Sequence, residues 1–330
     1  MNALPLRQGV EPEPRGVTTR PPHALLRAPD SGGYSRLPAP AVVVYRLDTG
    51  GHQQTGIVVE VAVDDYRQGR IRRHEATRPD HAHRVAELTE TSGTEQLPVM
   101  LVHRGRTELA ERLAGITADA PDVSLTTDGV AHSVWVRPAA DHPHEIAGID
   151  ALYIADGHHR MSAAVRYADR RAHLGGRHPS AFTLAALFPA EQMRILGHDR
   201  RFRLRAEVSA QDVVDRLRAH SLTARIEPRD NADTAPGEVA VGVRGRWYRI
   251  SLRSKDEMSR CNAAIDDGLV PALHDLLDHD SPGPEDLRLV PHPPTIEQVM
   301  AISDTGLVLP PKSTWFHPKP LPGLFLRELR

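Results

Sequence analysis

Hydrophobic and polar positions change their spacing several times along the chain, and the changes outline a series of strands and helices. From Ala41 the runs AVVVYRLD and TGIVVEVAVDDY, either side of the turn-forming DTGG, are β-branched and predict paired strands. HAHRVAELTETSG has helical spacing through Val85 and Leu88, LPVMLVHR predicts a buried strand, and TELAERLAGI a second helix. VSLTTDGVAHSVWVR predicts a hairpin turning at Asp128-Gly129. The short strand ALYIA then leads into HHRMSAAVRYADRRAHLGG, a helix closed by a glycine pair. Its Met161, Ala164, Val165, Ala168 and Ala172 share one face, and His159, Ser162 and Arg166 face away.

FTLAALF and QMRILGHDRRFRL follow as strand-like segments, and near Arg205 a second unit begins. It holds helix SAQDVVDRLRAH, strand TARIEP, hairpin EVAVGVRGRWYRISLR and helix MSRCNAAIDDGLVPALHDLLD, and ends on a strand, a short helix and a proline-rich strap. Residues 1–38 carry prolines and arginines without hydrophobic periodicity and read as an irregular N-terminal arm. The expected division is therefore 1–38 arm, 39–205 core and 206–330 C-terminal α+β unit, with a strap returning toward the core. Strands and helices without regular βαβ alternation make the fold class α+β. Neither GxGxxG between a strand and a helix nor GxxxxGK[ST] occurs, which disfavours dinucleotide and P-loop folds.

Composition narrows the function classes. With 40% hydrophobic and 25% charged residues, the 330-residue chain is expected to be globular. A formal charge of −2 supplies no bulk attraction to nucleic acid or to anionic membranes. No apolar run is long enough to span a bilayer, and one cysteine, Cys261, can form no internal disulfide, so a cytoplasmic protein is expected. Only three of the 41 basic residues are lysines: Lys255, Lys312 and Lys319. Lys255 has no chemical setting and reads as surface.

Four clusters could carry chemistry. Asp156-Gly157-His158-His159-Arg160 sits at a strand-to-helix junction, where the glycine permits a tight turn and the helix start presents unpaired N–H donors to an anion. Asp156 can cap the helix or help hold a divalent cation on a phosphate; the plainer alternative is a capped helix with solvated histidines. Arg73-His74-Glu75-Ala76-Thr77 places a carboxylate that can serve as general base toward a hydroxyl, or is a charged loop before a surface helix. A zinc site is weaker, since no histidine completes HExxH after His74-Glu75 and His81 and His83 are two apart on a helix. Lys312-Ser313-Thr314, between prolines, offers a phosphate or carboxylate pocket or else a rigid strap, and Gly197-His198-Asp199-Arg200-Arg201 is a fourth polar patch.

Together, YIADGHHRMSAAVRY, RRHEATRPDHAHRVAELTETSG and PPKSTWFHPKPLPGLFLREL resemble, in order, a bacterial family of uncharacterised proteins related to the ParB-like free serine kinases. The likeness runs from about Pro38 to Arg330, with a short opening region and with Met161 where an aromatic residue is common. It implies a ParB/sulfiredoxin-like nucleotide-binding core in which Asp156, Gly157, His158, His159 and Arg160 form the phosphate site. His198 and Arg200 would belong to the nucleotide site, with Lys312, Ser313 and Thr314 closing it and Asp156 holding Mg²⁺. By the same resemblance Glu75 is the catalytic base, supported by His74. The implied activity is phosphoryl transfer from ATP or ADP, with Mg²⁺, to the hydroxyl of L-serine or a related small molecule. The alternative is a ParB-like nucleotide-binding regulatory module without kinase activity. The partner expected is a small hydroxy substrate, with no membrane, with nucleic acid disfavoured and with a homodimer allowed.

Overall fold

The computed structural model describes residues 16–28, 32–38, 40–138, 146, 148–253, 262, 264–278, 286–310 and 312–329. Lys255, Cys261 and the first fifteen residues of the arm lie outside them. Two compact units are present: a first unit of Met1–Arg72, Pro79–Pro189 and Pro320–Arg330, and a second of Arg73–Arg78 and Ala190–Lys319. By compactness the chain thus passes to the second unit after Pro189, and its last eleven residues belong to the first.

The first unit is built on a mixed sheet. In chain order its strands and helices are β1 (Thr19–Arg20), β2 (Ala24–Arg27), β3 (Tyr34–Arg36), β4 (Ala41–Asp48), β5 (Gln53–Ala62), α1 (Val63–Arg67), β6 (Ile71–Arg72), α2 (Pro79–Ser92), β7 (Thr94–Glu95), β8 (Val99–His103), α3 (Thr107–Ile116), β9 (Val123–Thr127), β10 (Val130–Pro138), β11 (Leu152–Asp156), α4 (His158–Asp169) and β12 (Phe182–Pro189). The sheet order is β6-β11-β8-β12-β5-β4-β10-β9, with β1 also paired to β5. Pairs β6/β11 and β8/β12 are parallel, while the other ladders are antiparallel. β8 is buried along its whole length and β12 from its second residue on, which is why they read as continuous apolar runs rather than as alternation. Val44, Val59, Leu101, Leu152, Ile154 and Leu187 pack in one core with Leu109 and Leu113 of α3 and Met161 of α4. Each fully buried side chain of this kind contributes about 1.5–3 kcal/mol.

Several expectations are corrected here. Of the arm expected to be irregular, residues 16–38 contribute β1, β2 and β3, too short and too mixed in composition to show a period. β2 and β3 form a second sheet, in the order β3-β2-terminal strand-β7, whose terminal strand is Phe325–Glu328. In α2 the buried residues are Ala82 and Ala86, whereas Leu88 is 69% exposed. α4 stops at Asp169, and a 3₁₀ turn at Ala172–Leu174 precedes the glycine pair.

The second unit continues the numbering with β13 (Ile195–Leu196), β14 (Arg200–Phe202), α5 (Ala210–Ala219), β15 (Thr223–Arg229), β16 (Glu238–Val243), β17 (Arg246–Leu252), α6 (Val270–Leu273), β18 (Leu287–Pro291), α7 (Ile296–Asp304) and β19 (Trp315–Phe316). Five strands form an antiparallel sheet, β14-β18-β16-β17-β15, and β13 pairs with β19. Val239, Val241, Ile250, Leu287 and Leu289 meet Val213 and Leu217 of α5 in its core. α5 starts on a reciprocal cap between Ser209 and Asp212, and α7 on one between Thr295 and Gln298. The single helix expected over 258–278 is instead, among the described residues, a π turn at Ala264–Leu269, α6 and a 3₁₀ turn at His274–Leu276. Pro271 has no N–H to return to the preceding turn, which disrupts the regular ladder. Among the described residues no helix is long and apolar enough to cross a membrane.

Candidate functional site

The turn between β11 and α4 gathers five of the residues singled out from sequence. β11 delivers Asp156, and Gly157 then takes φ 106°, a left-handed conformation that side-chain-bearing residues avoid. A Cβ at Gly157 would stand 2.8 Å from Nη2 of Arg160, so the guanidinium lies directly against the glycine. Nη2 donates to Oδ2 of Asp156 at 2.5 Å, and Nη1 donates to the carbonyls of Pro98 at 2.6 Å and Leu97 at 3.3 Å. Arg160 is therefore a fixed charge, clamped to the turn and to the segment entering β8. Burial pushes its pKa below the ordinary value, opposed by the negative charges of Asp156 and Glu95. His158 is buried, and the His159 ring meets His81 of α2 edge-on, with centroids 4.4 Å apart. Asp156 pairs with Arg160 and makes no helix cap, since Gly157 occupies that position without a side-chain bond.

A groove of about 330 Å³ adjoins the turn through Arg160. Val85, Leu88 and Thr89 of α2 line it with Ser92, Glu95 and Leu97, and Arg160 and Ala164 of α4 form its other wall. The exposure of Leu88 has its reason here, because it stands on an open groove rather than in a core. The Glu95 carboxylate is held by Oγ1 of Thr183 at 2.8 Å, the Leu184 N–H at 3.0 Å and Nη1 of Arg327 at 2.9 Å. The sequence patterns did not single out Thr89, Ser92, Glu95 or Thr183 as site residues, and His81 entered only as a weak zinc candidate. The polar run TETSGTEQ closing an amphipathic helix was the available signal for Thr89, Ser92 and Glu95.

The remaining predicted residues meet in the second unit. His74 is buried; its Nε2 and Oγ1 of Thr314 are hydrogen-bonded at 2.8 Å, and its carbonyl accepts from the Leu309 N–H at 2.7 Å. Glu75 bridges Leu309 in a parallel pairing, so the histidine–glutamate segment and the proline-rich strap form one local structure. Ser313 is buried and donates to the Pro310 carbonyl at 2.7 Å, while Lys312 takes φ 60°. Arg200 is buried against Asp266, donating Nε to Oδ1 at 2.9 Å and Nη2 to Oδ2 at 2.6 Å. Its Nη1 also donates to the carbonyls of His198 at 2.6 Å and Lys312 at 3.3 Å. In this structure Arg200 thus braces the strap. Burial lowers the pKa of His198, whose ring lies 5.5 Å from that of Trp315.

These features define a mixed α/β protein built about a strand–glycine–helix turn and an adjoining groove. The chain belongs to the family described as protein of unknown function DUF1015, whose model matches residues 6–278. No curated protein matches it. Among solved structures it is similar to a free serine kinase variant in complex with AMP, at 15% identity over 83% of this chain and 92% of that one, with a TM-score of 0.40. SbnI from Staphylococcus aureus, truncated at its C-terminus, is similar at 12% identity over 82% and 81% of the two chains, with a TM-score of 0.36. A conserved hypothetical protein from Pyrococcus furiosus is similar at 15% identity over 82% and 95%, with a TM-score of 0.35.

Proposed function

We propose that the protein is a small-molecule kinase that transfers a phosphoryl group from ATP or ADP to the hydroxyl of L-serine or a related hydroxy compound. The observation that carries this reading is Arg160, which is clamped to the Gly157 turn and also lines the apolar and hydroxyl-bearing groove, so one cation is common to both. The slot suits a nucleoside; the α4 N-terminus with His158, His159 and the clamped Arg160 suits its phosphates. Glu75 is the proposed general base, held beside His74, which Thr314 orients.

In the reaction Glu75 takes the proton of the acceptor hydroxyl as its oxygen bonds to the terminal phosphorus. The bond from that phosphorus to the bridging oxygen breaks, and the electron pair stays on the departing nucleotide phosphate. The protein's share is positioning and charge: imidazoles, helix N–H groups and Arg160 stabilise negative charge on the phosphoryl oxygens. Mg²⁺ fits this turn only in part. Asp156 is the carboxylate there and has one oxygen committed to Arg160, so the ion would be held mainly by the phosphates it neutralises. Lys312, braced through its carbonyl by Arg200, is assigned to the acceptor or phosphate side.

Incubation with ATP or ADP, Mg²⁺ and a panel of hydroxy amino acids, read by mass detection of phosphorylated product, tests the assignment. Glu75→Gln is expected to lower kcat by about 10²- to 10⁴-fold with nucleotide binding retained. Unchanged turnover in that variant removes Glu75 as the base. Nucleotide binding with no product from any acceptor points instead to a regulatory module.

A further inference from the structure

The turn's Arg160 belongs to a longer alternation of charge. Arg327 of the terminal strand is 1% exposed and lies between two carboxylates: Nη1 donates to Oε2 of Glu95 at 2.9 Å and Nη2 to Oε2 of Glu60 at 3.0 Å. Nη2 also donates to the Pro179 carbonyl at 2.6 Å. Glu60, fully buried on β5, is shared with Arg20, whose Nε donates to Oε2 at 2.8 Å. From the other side, Glu95 lines the groove with Arg160, which is paired to Asp156. The series Arg20, Glu60, Arg327, Glu95, Arg160, Asp156 alternates in sign from the edge of the sheet to the Gly157 turn. Burial disfavours the charge on Arg327, yet Glu95 and Glu60 more than offset this and raise its pKa, while the field of Glu95 also supports the charge on Arg160.

We propose that Arg327 is a positioning residue for the phosphate turn, acting through Glu95 to set how much positive charge Arg160 presents to a bound phosphate. The proposal rests on the nucleotide reading above and deepens it. With Arg327 in place, the Glu95 carboxylate is neutralised from behind and held by Thr183 and Leu184, leaving the groove side to Arg160. Without Arg327, the half-buried Glu95 carboxylate acts on Arg160 with its charge no longer offset and draws on the charge meant for the ligand. The cost then falls on the phosphates and spares the nucleoside.

Calorimetric titration of ADP and of adenosine into the full chain separates these effects, because adenosine reads the slot alone. Arg327→Met is expected to weaken ADP about tenfold and adenosine less than about twofold, and Arg327→Lys to restore most of the ADP affinity. In a Glu95→Gln background the same Arg327→Met change is expected to cost less than about twofold for ADP. Equal weakening of ADP and adenosine, or an undiminished loss in the Glu95→Gln background, overturns the proposal and leaves the nucleotide reading standing. Absence of ADP binding by the wild-type chain overturns both. Should Arg327→Met fail to fold, Arg327→Lys alone decides: a selective loss of about threefold for ADP supports the proposal, and no difference between the ligands sinks it.

Discussion

Gly157 meets two constraints at once: a φ of 106° and a guanidinium where a Cβ would go. Either alone disfavours a side chain, and together they leave the turn no inexpensive rearrangement, because Arg160 is tied to Asp156 and to two carbonyls. Gly157→Ala is expected to cost more than about 1 kcal/mol of stability and to abolish ADP binding, read by thermal unfolding and by titration. A wild-type affinity in that variant would show that the turn does not receive phosphate. At this scale the sequence was partly legible. The cluster from Asp156 to Arg160 is continuous in the chain, so its meeting at one turn followed from the glycine and the helix start. The commitments of its side chains did not follow: Arg160 binds carbonyls 62 and 63 positions away, and Arg200 binds a carboxylate 66 positions away. Such distant acceptors leave no local pattern.

Between residue and molecule, the elements differ in how far local chemistry decided them. The Asp128-Gly129 hairpin is present with both residues at positive φ, as a tight two-residue turn requires, and the SAQD start of α5 forms its cap. β1 and β2 pair with strands far along the chain, β5 and the terminal strand, and β3 pairs with β2, so no local window shows what holds β1 and β2 in place. The tie between β5 and the terminal strand carries a pH dependence. Burial pushes the Glu60 carboxyl up, but Arg327, the His23 N–H and Arg20 outweigh it and hold the pKa below the ordinary 4.5. A depressed carboxylate contributes stability that is complete above its unfolded value and is lost as pH falls through the folded one. Urea midpoints should therefore decline below about pH 4.5, and Glu60→Gln should lower the neutral midpoint while flattening that acid decline. A parallel acid decline in wild type and variant would assign the acid sensitivity elsewhere.

At the scale of the whole molecule, the sequence suggested a boundary near Arg205, where strands give way to an amphipathic helix. Compactness places it after Pro189 and assigns both Arg73–Arg78 and Pro320–Arg330 across the linear order. Excursions of six and eleven residues are invisible to periodicity, because neither is long enough to hold a pattern. Removal of Pro320–Arg330 takes away the terminal strand and Arg327 together, leaving the buried Glu60 and the half-buried Glu95 without their shared cation. That truncation is expected to cost the first unit about 3–5 kcal/mol, read by denaturant unfolding and by faster proteolysis within residues 41–189. Unaltered unfolding would show the terminal strand to be dispensable. The same arrangement orders events at the ribosome. Glu60 and Glu95 emerge early, whereas the arginine they share is made 232 positions after Glu95. The first unit can therefore close this tie only after the second unit has been made, so a chain cut short before Arg327 lacks the arginine that Glu60 and Glu95 share and is open to cellular proteases that spare the tied form.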